Sequence, residues 1–170
     1  MKLEDKIRDV QDFPINGVLF KDITTLLNDA DAYHQSIDAM YQRYKNDGIE
    51  IVVGMESRGF IFAAPLAYQL GAGLVPVRKL GKLPAETVRC EYALEYGTNT
   101  LEIHQDAIQP GQKVLVVDDL LATGGTTIAT LKLVEKLGGK VAGLAFLIEL
   151  TFLHGMDKLK GYDIFTQIQY

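Results

Sequence analysis

The sequence predicts an α/β fold, a twisted and mainly parallel sheet flanked by helices, on two observations. Short β-branched runs alternate with segments of helical periodicity, and 170 residues at 48% apolar and 23% charged suffice for one domain with a full core. Right-handed crossovers between parallel strands place the ligand-binding loops outside the strand carboxyl ends.

The elements follow in order. Leu3, Ile7 and Val10 share one face of a short predicted helix over 2–10, and the turn-rich segment FPINGVLFKDIT, punctuated by Pro14, Asn16 and Gly17, follows as a loop. Asp29 is an N-cap for a helix in which Tyr33, Ile37, Met40, Tyr41 and Tyr44 recur at helical spacing until Asn46 to Gly48 ends it. IEIVVG is a buried strand, RGFIFAAPLAYQLG a helix closed by Gly71, and LVPVRK a second strand.

An exposed excursion is expected next, because alternating segments at 88–94 and 98–103 flank a Gly-containing turn at Tyr96 to Asn99. KVLVVDD is then a strand ending at its paired acids, GTTIATLKLVEKLGG a helix, and KVAGLAFLIE and YDIFTQIQ the last strands. The loops at 54–58, 78–84 and 118–126 are expected to converge.

Composition excludes several function classes. A formal net charge of −5 supplies no global basic field, so no nucleic acid and no membrane surface is expected as a partner, and any phosphate must be captured locally. The single cysteine, Cys90, allows no internal disulfide and suits a reducing, cytoplasmic location. The mixed charges of MKLEDKIRDVQDF are not those of a secretion signal, and FIFAAPLAYQLGAGLVPV is broken by Pro65, Gln69, glycines and Pro76.

The stretch VLVVDDLLATGGTT carries the most specific chemistry. Asp118 and Asp119 follow a buried strand, and Ala122, Thr123, Gly124, Gly125 and Thr126 open a helix whose unpaired N–H groups and dipole favour an anion. The P-loop lysine and the dinucleotide glycine fingerprint are both missing. A ligand with vicinal hydroxyls near a phosphate satisfies both halves, and ribose 5-phosphate has that layout. Arg58, Arg78, Lys79 and Lys82 are either a solvated charge cluster or further phosphate ligands. No H-E-x-x-H or G-x-S-x-G motif accompanies His34, His104 and His154.

The strand, paired acids and ATGGTT together resemble the phosphoribosyl pyrophosphate motif of the type I phosphoribosyltransferases. FPINGVLFKDIT, GMESRGFIFAAPLA, VRKLGKLP, YALEYGTNTLEIH and GYDIFTQIQY resemble, in the same order, segments of the adenine-specific branch, over essentially the whole chain. The resemblance implies a single phosphoribosyltransferase domain over 1–170 with a Rossmann-like core, an amino-terminal hood over about 1–28 and a flexible hairpin lid over about 80–97.

It also implies roles. Asp118 and Asp119 hold the ribose hydroxyls of phosphoribosyl pyrophosphate (PRPP), and Ala122 to Thr126 hold its 5-phosphate. Glu56, Ser57 and Arg58, with a cis Glu56–Ser57 peptide, bind pyrophosphate beside Arg78, Lys79 and Lys82, and Tyr96 joins the PRPP ligands. Adenine meets main-chain groups of Leu19 and Lys21 and the apolar Phe20 and Leu150, while Glu95 faces N7 as an acid or base. Mg²⁺ arrives with PRPP and is not held tightly by the protein, Gly81 and Gly97 are candidate hinges, and the molecule is a homodimer. The implied reaction is phosphoribosyl transfer to N9 of adenine in purine salvage. The alternatives are transfer to hypoxanthine, guanine or xanthine, and a non-catalytic PRPP sensor.

Overall fold

Residues 1–94 and 96–170 are described by the computed structural model, in which the chain divides into two compact units, Met1–Ala39 and Met40–Tyr170. In the first unit a 3-10 turn, Leu3–Lys6, leads into an antiparallel hairpin of β1 (Arg8–Gln11) and β2 (Leu19–Asp22). A strand therefore stands where a helix was expected for 8–10, and another inside the expected loop. Val10 lies opposite Phe20 across the hairpin, and Phe20 meets the Phe13 ring edge-on at 5.1 Å. That cross-strand pairing overrides a helical spacing supported by only three apolar residues.

A short helix α1 (Thr24–Leu27) precedes α2 (Ala30–Tyr44), whose start is capped as expected: Asp29 Oδ1 accepts the Ala32 N–H at 3.0 Å.

The second unit contains the elements β3 (Ile51–Met55), α3 (Gly59–Leu70), β4 (Gly73–Lys79), β5 (Thr87–Ala93), β6 (Thr98–His104), β7 (Lys113–Leu121), α4 (Gly125–Lys136), β8 (Lys140–Glu149) and β9 (Ile164–Gln169). Among the described residues their strands form one sheet ordered β5-β6-β4-β3-β7-β8-β9. The run from β4 to β9 is parallel, and β6 and β5 add an antiparallel edge.

Two features depart from the sequence reading. β6 pairs with β4 as well as β5, so Leu101, Glu102 and Ile103 are buried and the excursion is fastened to the sheet instead of standing free. β7 runs past its acids to Leu121, because the ten-residue β8 continues to pair with it, Leu120 opposite Ile148 and Leu121 opposite Glu149.

Strand alternation divides the core. Val53, Val116, Leu144 and Phe146 pack with Ala129, Leu133 and Val134 of α4. On the other face β3 approaches α3 so closely that a Cβ on Gly54 would lie 2.8 Å from the Ala63 methyl. Tyr44, fully buried, donates its hydroxyl to the Leu144 carbonyl at 3.0 Å, and its ring leaves no room beside Gly143, where a Cβ would sit 2.5 Å from the ring edge. Gly143→Ala is therefore expected to lower stability by about 2 kcal/mol, read as a lower urea midpoint with unchanged m. An unchanged midpoint would show that Tyr44 moves aside freely.

Candidate active site

β3 and β7 are neighbours, but β3 leads through α3 to β4 on one side while β7 leads through α4 to β8 on the other. The order of connection thus reverses between them, and the crevice outside their carboxyl ends is where such sheets bind ligands. A cleft of about 430 Å³ opens there, lined by Glu56, Ser57 and Arg58 after β3, Lys79 ending β4, Tyr92, Asn99 and Leu101 of the hairpin strands, and Asp118, Asp119, Leu120, Ala122 and Thr126. A smaller recess of about 70 Å³ shares Asp118, Leu120, Ala122 and Thr126 with it and adds Thr123, Gly124, Gly125 and Thr127.

Packing behind the cleft holds both acids. A Cβ on Gly59 would stand 2.9 Å from Asp118 Oδ1 and 3.0 Å from the Val117 carbonyl, so the first turn of α3 lies directly against β7. Asp118 Oδ1 accepts the Asp119 N–H at 2.8 Å, and buried Asp119 pairs through Oδ2 with Arg58 Nε at 2.7 Å. Burial first, and then the negative charge of Asp119, push the Asp118 carboxyl well above the ordinary carboxylate range.

Gly124, the residue before α4, is in the left-handed region with φ 86°, and no side chain caps the start of the helix. The first N–H groups of the helix are therefore left to a ligand or solvent. The turn Gly155–Lys158 supports this loop from behind: a Cβ on Gly155 would be 2.3 Å from the Ala122 carbonyl, and one on Gly124 would be 3.1 Å from the Gly155 carbonyl.

A positive cluster gathers around Glu56, which lines the same cleft. Its Oε2 accepts the Lys79 N–H at 2.7 Å, and its Oε1 pairs with Lys82 Nζ and lies 3.6 Å from Arg78. Burial pushes this carboxyl up, but the Lys82 ammonium and the Lys79 N–H outweigh it and hold the pKa below its usual value. The Glu56–Ser57 peptide is cis.

The remaining candidates stand on separate elements. Leu19, Phe20 and Lys21 lie on β2, where Lys21 Nζ pairs with Asp9 at 2.7 Å. Leu150 follows β8, its N–H donating to the Leu121 carbonyl at 3.0 Å. Tyr96 is exposed in the hairpin turn, and Glu95 lies outside the described residues. Cys90 is half-buried against the core. Gly59, Tyr92, Asn99 and Gly155 were not anticipated; Tyr92 had a signal, since it shares one face of an alternating strand with Val88 and Cys90.

Residues 22–166 match the phosphoribosyl transferase domain family. The chain is 59% identical over 170 residues to an adenine phosphoribosyltransferase of Clostridium perfringens, covering 100% of this chain and 99% of that one. The crystal structure of adenine phosphoribosyltransferase from Thermoanaerobacter pseudethanolicus superposes with a TM-score of 0.95 at 55% identity, covering 99% and 98% of the two chains. The Saccharomyces cerevisiae adenine phosphoribosyltransferase, complexed with an imino-altritol bisphosphate and adenine, gives 0.92 at 39% identity over 97% and 96%.

A carboxyl whose pKa is raised on folding binds its proton more tightly in the folded chain, so stability falls as pH rises from the ordinary value toward the raised one and stays low above it. Asp118→Asn removes that loss while keeping the acceptor for the Asp119 N–H. The variant is expected to be more stable than the parent at pH 7 in urea denaturation, with the gain vanishing below about pH 4. Equal stability at pH 7 would contradict a strained carboxylate.

Proposed function

The chain belongs to the adenine phosphoribosyltransferases, and from that premise we propose how its residues divide the work. The enzyme transfers the 5-phosphoribosyl group of PRPP to N9 of adenine, giving AMP and pyrophosphate. One observation carries the division of roles: two adjacent carboxylates, Asp118 half-buried and Asp119 buried, and an uncapped helix start border the same cleft.

Asp118 and Asp119 accept hydrogen bonds from the ribose hydroxyls, and the N–H groups and hydroxyls of Ala122 to Thr126 donate to the 5-phosphate. The main chain of Glu56 and Ser57, with Arg58, Arg78, Lys79 and Lys82, takes the pyrophosphate, and Tyr96 joins it. As the C1–O bond to pyrophosphate breaks, the sugar gains oxocarbenium character, and these fixed cations stabilise the departing anion. Residues 80–97 act as the lid that keeps water from the reacting carbon.

Adenine recognition is assigned to main-chain groups of Leu19 and Lys21, with Phe20 and Leu150 as apolar contacts. The engagement of the Lys21 ammonium by Asp9 supports a main-chain role for that residue. Glu95 is the acid or base toward N7. Mg²⁺ enters on PRPP, carried by phosphate oxygens and not held tightly by the protein. When bound, the ion neutralises charge on the leaving pyrophosphate. The protein acts as a homodimer in the cytoplasm, a reducing compartment that its single cysteine suits.

Incubation with Mg²⁺, PRPP and each purine in turn, followed by separation of the nucleotides, is expected to yield AMP from adenine. Turnover of hypoxanthine without adenine would overturn the base assignment. The double variant Asp118→Asn, Asp119→Asn is expected to stay folded and lose at least about 100-fold in kcat/KM for PRPP. Parental rates in that variant would remove the ribose role.

A further inference from the structure

Glu102 stands in the middle of β6, 2% exposed. Leu101, its neighbour, lines the cleft, so strand alternation turns Glu102 to the opposite face. A carboxylate buried this deeply destabilises a fold unless donors surround it. Three are present: its Oε2 accepts the Gly81 N–H at 2.9 Å, and its Oε1 accepts the Thr87 hydroxyl at 3.0 Å and Arg89 Nε at 2.7 Å. Burial pushes the carboxyl up, but these donors outweigh it and hold the pKa below the usual value, so the group is an anion at neutral pH. Glutamate, with acceptors only, suits three converging donors where glutamine does not.

The donors come from both ends of the segment that leaves β4 after Lys79 and returns as β5. Gly81 has φ 83° with open space beside its Cα, so conformation and not crowding requires glycine. The Lys79 N–H, two residues earlier, is held by Glu56. Two carboxylates thus fix the amides on either side of Leu80, and Lys82 follows directly, its ammonium on Glu56 at the edge of the cleft.

We propose that Glu102 is a positioning residue for PRPP: by holding the Gly81 amide, Thr87 and Arg89 at one point behind the sheet, it sets the direction in which Lys82 enters the cleft. The inference rests on the pyrophosphate role of Lys82. It also implies that motion at Gly81 must turn about, or break, the hydrogen bond to Glu102.

Steady-state kinetics of Glu102→Gln, Lys82→Ala and the double variant test it, with folding checked by circular dichroism and urea denaturation. Glu102→Gln is expected to raise KM for PRPP about tenfold while kcat and KM for adenine stay within about twofold. Lys82→Ala is expected to raise the same KM at least as much, and the double variant to be no worse than Lys82→Ala. An unchanged KM in Lys82→Ala defeats the role of Lys82 and this inference with it. If Lys82→Ala behaves as expected but Glu102→Gln multiplies its defect, or lowers kcat and weakens both substrates alike, Glu102 is only structural and the inference alone falls. Should Glu102→Gln fail to fold, Thr87→Val enters the same cycle with an expected rise of about threefold, and independence from Lys82 overturns the inference.

Discussion

The parallel pairing of β3 with β7, Ile51 to Gly54 against Val114 to Val117, is the constraint on which the rest of the site depends. It brings the loop carrying Arg58 next to the carboxyl-terminal part of β7, which carries the paired acids. The connections of these two strands run to opposite sides, so their loops border a crevice instead of covering it. Gly59 makes the arrangement tight, because any larger residue would push α3 away from Asp118.

Electrostatics explain why the site is assembled from opposed charges. Asp118 and Asp119 repel each other and are partly removed from water, which weakens the folded chain but leaves acceptors poised for hydroxyl donors. Arg58 tempers that repulsion through Asp119, and Glu56 performs the converse service for Arg78 and Lys82. Arg58, Arg78 and Lys82 are therefore each oriented by a protein carboxylate, so little reorganisation is required when a ligand takes over those contacts.

Much of this was legible in the sequence where local pattern and tertiary structure agree. The VLVV run and TGGTT place a strand and a helix start whatever the rest of the chain does, and Asp29 marks the start of α2 by its own hydrogen bond. The hairpin of β1 and β2 was not legible, because Leu3, Ile7 and Val10 also fit a helical face and only pairing with Phe20 decides between them. Leu120 and Leu121 remain in β7 because of β8, whose length no local signal in β7 reveals. Glu102 reads as a solvent-facing residue of an alternating strand; its donors at Gly81, Thr87 and Arg89 are distant in sequence and converge only when β6 pairs on both sides. Gly155 was hidden for the same reason, since its contact is the Ala122 carbonyl.

The central claim is that one ligand satisfies the acids through hydroxyls and the helix start through phosphate. Calorimetric titration of ribose 5-phosphate and 2-deoxyribose 5-phosphate into the parent and into the Asp118→Asn, Asp119→Asn variant measures that coupling directly. The account predicts that the parent binds the deoxy sugar about tenfold more weakly and that the variant no longer distinguishes the two sugars. The same discrimination in both proteins would contradict it.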